Sequence, residues 1–133
     1  MIERSSFPQG QLPGSLELAY LGDTVYDLYV RAHLVSAGGR VGALHRRAIQ
    51  LVCAHAQAEA LARVQEALTE EEAAVVRRAR NAQQSPPKHA DAAEYHRATG
   101  LEALIGYLYA TGRHERMREI LEQALPPETI AQA

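Results

Sequence analysis

The sequence predicts an all-α protein built as a bundle of helices. Apolar residues recur at helical spacing in several stretches, and no stretch alternates cleanly with β-branched residues as a strand does. Helix-capping and helix-breaking residues separate these stretches. The chain has 133 residues, of which 47% are hydrophobic and 23% are charged, so we expect one globular domain over residues 1–133.

The first helix is predicted over residues 16–36, after an irregular lead-in over residues 1–14 that contains two prolines and two glycines. Ser15 is the expected N-cap, and Gly38 with Gly39 ends the helix. Two apolar stripes run along it, as expected for a central helix. One stripe contains Leu18, Leu21, Val25, Leu28, Tyr29 and Ala32. The other contains Leu16, Tyr20, Asp23, Asp27, Val30 and Leu34.

A second helix is predicted from Val41 to about Leu61, either as one rod or with a break near Ala56. Thr69 and Glu72 have the spacing of a capping box, so a third helix is expected over residues 70–83. Its acidic residues lie in the first turn and its arginines in the last, as the helix dipole favours. A serine and two prolines end it, and a loop is expected to residue 90.

Asp91 is predicted to cap a fourth helix that runs to Ala110, and Gly112 ends this helix. A last amphipathic helix is expected over residues 113–124, ended by two prolines. Residues 128–133 are expected to form a loose tail.

The composition excludes several classes of function. A net charge of −2 gives no general attraction to nucleic acid, so RNA binding would need a local basic patch or a metal. Cys53 is the single cysteine, which excludes an internal disulfide and favours a reducing, cytoplasmic location. No signal peptide and no membrane-spanning apolar run are visible. The histidines and the lone cysteine lack the spacing of a zinc site.

Two carboxylates lie in the two most apolar predicted helices, Asp23 in the first and Glu102 in the fourth. Burying an ionised carboxylate without a partner is expensive, so a shared cation is one explanation and an arginine partner is another. Mg²⁺ favours oxygen ligands, often one or two protein carboxylates, and can activate water against a phosphodiester. Gly22 favours the functional interpretation, because a glycine within a helix costs about 1 kcal/mol and often marks a close approach.

Two further groups are open to more than one interpretation. Asp27 fits a second metal ligand, a dimer contact or a salt bridge to Arg31 one turn later, and a structural role is favoured. A basic group at the end of the third helix and in the loop that follows suits contacts with RNA phosphates and sugars, although a solvated helix face has the same composition. This group consists of Arg77, Arg78, Arg80, Asn81 and Lys88.

Three ordered segments of the chain resemble the ribonuclease III catalytic domain. They resemble most closely its short bacterial form, Mini-ribonuclease III, which lacks a double-stranded-RNA-binding domain. The first segment is residues 18–31, LAYLGDTVYDLYVR, and the last is residues 95–109, YHRATGLEALIGYLY. Between them lie the basic segment over residues 78–82, RARNA, and the shorter match QAE over residues 57–59.

The resemblance implies a helical bundle of the ribonuclease III type and a homodimeric, Mg²⁺-dependent endoribonuclease that cleaves double-stranded RNA. Its substrate would be precursor 23S ribosomal RNA, with a ribosomal protein as a candidate helper. By motif position, Asp23 and Glu102 carry over as metal-binding catalytic carboxylates. RNA contacts are expected from Gln57, Arg77, Arg78, Arg80, Asn81 and Lys88.

The chain departs from full-length ribonuclease III at two acidic positions, where it has Ala19 and Thr99. Mini-ribonucleases share this reduction, which favours one Mg²⁺ over two. Ala79 and Gln83 stand where the family often has glycine and lysine. The Asp23 stripe and the last segment are the expected contacts with the partner subunit. Two alternatives to a nuclease are a non-catalytic module that binds RNA or a ribosomal protein, and a plain helical dimerisation domain.

Overall fold

The computed structural model describes residues 11–82 and 85–133, which form seven α-helices and one short 3-10 helix. These described residues contain no strand, so the all-α prediction is confirmed. None of their helices is both long and apolar enough to cross a membrane. The helices are α1 (Ser15–Ala37), α2 (Val41–Val52), α3 (Ala54–Val64), a 3-10 helix (Gln65–Ala67), α4 (Glu70–Arg80), α5 (Ala92–Ala110), α6 (His114–Ala124) and α7 (Pro127–Gln132).

Helix α5 lies at the centre of the bundle, where it packs mainly on α1, α3 and α4. Eleven of its 19 residues are buried, so it is covered on almost every side. Helix α1 instead buries one stripe, formed by Leu18, Ala19, Gly22, Tyr26, Val30 and Leu34. The central helix of the single chain is therefore α5 and not α1 as predicted, since Tyr20 of α1 is 84% exposed and Leu28 is 67% exposed.

Most of the predicted helix ends are confirmed by their caps. Thr69 and Glu72 form the reciprocal capping box, with the Glu72 amide donating to Thr69 Oγ1 at 3.1 Å and the Thr69 amide to Glu72 Oε1 at 2.9 Å. Asp91 Oδ1 accepts from the Glu94 amide at 3.0 Å and starts α5. Gly112 follows α5 with a φ of 75°, a left-handed conformation that favours glycine.

Three predicted boundaries differ from the structure. Helix α1 begins at Ser15 itself, and Gly14 is its N-cap without a side-chain hydrogen bond. The long second helix is broken at Cys53, whose extended backbone ends α2 and begins α3, three residues before the expected point. Helix α4 ends at Arg80, before the predicted residue 83. Residues 1–10 of the predicted lead-in lie outside the described residues, whereas residues 11–14 are irregular as expected.

The tail is not loose, because residues 127–132 form α7 and pack on α1. Ile130 is fully buried in the common core. Tyr29 donates a hydrogen bond to the Leu125 carbonyl at 2.8 Å, and Arg47 donates to the carbonyl of Ile130 at 3.2 Å. Pro127 starts the helix, since its fixed φ suits the first turn. These contacts hold the end of the chain against the outer side of α1 and α2.

Candidate active site

Two glycines bring the backbones of α1 and α5 into contact. A Cβ atom placed on Gly22 would lie 1.7 Å from the Glu102 carbonyl oxygen, and one placed on Gly106 would lie 1.9 Å from the Leu18 carbonyl oxygen. Both positions therefore require glycine, as the sequence indicated for Gly22. The close approach places Asp23, the neighbour of Gly22, beside the turn of α5 that carries Glu102.

Both carboxylates line one cavity of about 300 Å³, open to solvent, between α1, α3 and α5. Asp23 is exposed at this cavity, whereas Glu102 is partly buried. The structure thus brings together two side chains that are far apart in the sequence. The residues that line the cavity are Leu16, Ala19, Tyr20, Asp23, Val52, Ala54, Gln57, Tyr95, Ala98, Thr99 and Glu102.

The electrostatics of this pair favour a bound proton or a bound cation. Burial raises the pKa of Glu102 to about 8, and the hydrogen bond and charge of Asp23 act in the same direction. Two carboxyl groups within hydrogen-bonding reach of each other need a proton or another positive charge between them. The metal-free site therefore retains a proton near neutral pH that a cation would have to displace.

Gln57 lies beneath Glu102 and is only 2% exposed. Its Nε2 atom donates to the Val52 carbonyl at 2.9 Å and to Glu102 Oε2 at 3.2 Å. Because both hydrogen bonds are internal, the predicted RNA contact of Gln57 does not fit its position. His55 and Glu59 lie in the same alanine-rich stretch over residues 54–61, so nothing in the sequence separates the buried Gln57 from its polar neighbours.

The structure also shows where the other acid of the first motif and the two small residues at expected acidic positions lie relative to Asp23 and Glu102. Ala19 and Thr99, the two departures from full-length ribonuclease III that the resemblance indicated, are buried and line this cavity. Asp27 accepts a hydrogen bond from Arg31 Nε at 2.8 Å, which is the salt bridge among its three candidate roles. Within residues 11–82 and 85–133, no group of three or more His, Cys, Asp or Glu side chains could hold a metal ion. A cation here would rest on the two carboxylates.

The predicted RNA-binding residues of the basic group lie away from this cavity. Arg77, Arg78 and Arg80 are exposed in the last turn of α4, and Asn81 caps that helix. Lys88 is exposed in the following loop. No salt bridge to any of these cations occurs within the described part of the chain. Their role in RNA binding stays a prediction, and their free charges are compatible with it.

Glu102→Gln is expected to stabilise the metal-free protein at alkaline pH. The folded protein holds the Glu102 proton up to about pH 8, whereas the unfolded chain releases it near the usual 4.5. Between these values the folded wild type binds more protons than the unfolded chain, so its stability falls as pH rises. Glutamine does not titrate. The free energy of unfolding of Glu102→Gln should therefore rise relative to that of the wild type over this range, by an amount on the order of a few kcal/mol.

The measurement is thermal unfolding in EDTA at about pH 5 and about pH 8.5, which together span most of this range. Glu115→Gln on α6 is the matched control, since that side chain is 83% exposed and should show no such difference. A stability gap between Glu102→Gln and wild type that is equal at both pH values would contradict the raised pKa.

Comparisons with known proteins show what this chain is similar to. Residues 16–113 match the Ribonuclease III domain, and the three segments noted in the sequence lie inside that match. The chain is 52% identical over 111 residues to the Mini-ribonuclease 3 of Symbiobacterium thermophilum, covering 82% of this chain and 85% of the relative. It is 50% identical over 110 residues to that of Desulfitobacterium hafniense, covering 82% and 70%. A crystal structure of a Fusobacterium nucleatum protein matches with a TM-score of 0.78 and 30% identity, covering 86% of this chain and 93% of the other.

Proposed function

The chain belongs to the ribonuclease III family of endoribonucleases, and from this premise we propose that it hydrolyses double-stranded RNA with Mg²⁺ at the cavity between α1 and α5. The observation that carries the proposal is that Asp23 and Glu102 line the same cavity within hydrogen-bonding reach. A core ion pair, which was the alternative for these acids, would require a cationic partner. Neither carboxylate has a salt bridge to a described residue.

The donor set fits a single Mg²⁺. This ion takes carboxylate oxygens and keeps several waters, so two carboxylates facing an open cavity are sufficient. Gln57 Oε1 is buried and has no hydrogen-bond partner among the described residues, which adds an unused oxygen beside Glu102. When bound, the ion supplies a nucleophilic water near neutral pH and stabilises the charge that develops on the leaving oxygen.

The residues of the chain hold and orient these groups. Glu102 is fixed by its hydrogen bond to Gln57, which is itself fixed by the Val52 carbonyl. Asp23 reaches the same point from the exposed side of α1, where an RNA backbone can approach. The arginines at the end of α4 would contact phosphates farther along the duplex and set its position relative to the carboxylates.

A homodimer would supply one such site for each strand of the duplex. Large apolar side chains are exposed along α1 and α2, namely Tyr20 at 84%, Leu28 at 67%, Val35 at 68%, Val41 at 82% and Ile49 at 50%. Covering them with the same surface of a second copy would remove this apolar area from water. The proposed substrate is precursor 23S ribosomal RNA in the cytoplasm, with a ribosomal protein as a candidate helper, as the resemblance to Mini-ribonucleases implies.

The direct test is incubation of an end-labelled RNA duplex with the purified protein in Mg²⁺ or in EDTA. Cuts in both strands that occur in Mg²⁺ and disappear in EDTA would support the proposal. A duplex that is retained but never cut would favour the non-catalytic RNA-binding alternative. Cleavage that persists in EDTA would remove the metal from the mechanism.

Gln57→Ala is expected to raise the Mg²⁺ concentration needed for half-maximal cleavage by about 10- to 100-fold, because residues that orient metal ligands have effects of this size. The rate at saturating Mg²⁺ should change much less. Gln50→Ala is the matched control, since Gln50 is exposed on α2. An unchanged Mg²⁺ requirement in Gln57→Ala would show that Gln57 does not position Glu102 for the metal.

A further inference from the structure

A second cavity, of about 360 Å³, lies between α3, α4 and α5. Three arginines line it, one from each helix: Arg63, Arg80 and Arg97. Glu66 is the one acidic residue among those lining it. Arg63 lies outside the segments that the sequence singled out, and Arg97 lies in the last of them but was not among the predicted RNA contacts. The cavity does not contain Asp23 or Glu102.

The charges around this cavity are not neutralised within the described residues. None of the three arginines has a carboxylate within 4.0 Å there, whereas the arginines of α1 and α6 do. Arg63 donates from Nε to the Ala124 carbonyl at 2.6 Å, a bond that adds no negative charge. Guanidinium groups that share a cavity repel one another, so an anion bound among them would be stabilised.

The fold holds Arg63 by a hydrogen bond and packs the stem of Arg80 against α5. A Cβ atom on Gly100 would lie 2.9 Å from Arg80 Cγ and 3.0 Å from Val76 Cγ1. The absence of a side chain at residue 100 therefore leaves room for the Arg80 stem to cross α5. Arg63 is fixed by its bond to Ala124. Side chains that are already ordered lose less entropy when they bind a ligand.

We propose that this cavity binds a backbone phosphate of the RNA substrate, a ligand that rests on the function proposed above. The guanidinium fork matches phosphate oxygens, and no other side chain is better suited to bidentate contacts with them. Helix α3 connects the two cavities, because Gln57 lines the first and Ala58 and Leu61 line the second. Gln57 and Leu61 are about 6 Å apart along the helix axis, so the two cavities adjoin successive turns of α3, and the proposal places one RNA strand across this helix.

This second contact gives a protein of net charge −2 a local attraction for a polyanion. It also limits the register of the strand, since a phosphate held among the arginines limits which phosphate reaches the carboxylates. The cavity would therefore help to determine the point of cleavage.

The test is the affinity for a labelled RNA duplex in Ca²⁺, without Mg²⁺, over a series of salt concentrations. Arg97→Gln and the double variant with Arg80→Gln should weaken binding, and the slope of log K against log salt should become shallower by about one for each arginine removed. Arg118→Gln is the matched control: Arg118 is exposed on α6 and pairs with Glu115 at 3.8 Å. It should leave the slope unchanged, and thermal unfolding checks that each variant is folded.

The outcomes separate this proposal from the proposed function. If the wild type binds and cuts the duplex but the arginine variants keep its affinity and slope, the cavity proposal is overturned and the nuclease stands. If the wild type binds without cutting, the nuclease fails and the slopes still decide the cavity. If it does not bind RNA at all, both fail.

Inorganic phosphate distinguishes RNA from a free anion. Phosphate is added at constant ionic strength, with chloride as the control, and the melting temperature is measured. One result would overturn the RNA assignment. Phosphate would raise the melting temperature of the wild type but not of Arg97→Gln, while the slopes of log K for RNA against log salt were equal for the two proteins. The cavity would then bind a free anion.

Discussion

Asp23→Asn is expected to lower the rate of duplex cleavage in Mg²⁺ by about a thousandfold or more, while the protein remains folded. Asparagine keeps the shape of the side chain but removes the charge that attracts the cation. Asp23 is exposed, so the substitution leaves the core unchanged. The measurement is the initial rate of cleavage of a labelled duplex, together with circular dichroism and the mass of the assembly in solution.

Asp27→Asn is the control for this variant, since it lies one turn later on the same helix and removes the same charge. It breaks the partly exposed salt bridge to Arg31, which is worth at most about 1 kcal/mol. Its cleavage rate should stay close to that of the wild type. Full activity in Asp23→Asn would exclude Asp23 from the mechanism, whatever the effect of the control.

Gly22→Ala is expected to destabilise the protein by about 3 kcal/mol or more, and to abolish cleavage in any fraction that folds. The added methyl group would lie 1.7 Å from the Glu102 carbonyl oxygen, which is backbone and cannot rotate away. Helices α1 and α5 would have to separate, and Asp23 would move away from Glu102. Urea unfolding measures the loss of stability, and the duplex assay measures the loss of activity.

Gly42→Ala tests whether any glycine-to-alanine change in a helix has this effect. Gly42 is exposed on α2, and a Cβ atom there meets only Arg46 Nη1 at 3.7 Å. Alanine favours helix more than glycine, so this variant should gain up to about 1 kcal/mol. Equal unfolding midpoints for Gly22→Ala and the wild type would show that α1 and α5 are farther apart than described.

The local features of the fold were predictable because they depend on neighbouring residues. The Thr69 capping box, the Asp91 cap and the stop at Gly112 all follow from side chains within a few positions of each other. Helix α7 was not predictable in this way. It has six residues and is held by the burial of Ile130 and by hydrogen bonds from Arg47, which is distant in the sequence.

The candidate site was also predictable only in part. Two acids in apolar helices indicated a shared cation, and the glycine beside Asp23 indicated the close approach that brings them together. Helical periodicity does not tell which face meets which neighbour, so the exposure of Tyr20 was missed. The role of Gln57 was also missed, since its bond to Glu102 joins residues 45 positions apart.

The glycine contact between α1 and α5 bears on how this protein could be engineered. Glycine has no rotamers, so the main chain alone determines the spacing between the turns that carry Asp23 and Glu102. Libraries that vary the arginine cavity and the loop over residues 85–90 would leave that spacing intact. Under the proposed function, the position of the RNA and the chemistry of cleavage would depend on different parts of the fold, so the two could be varied independently.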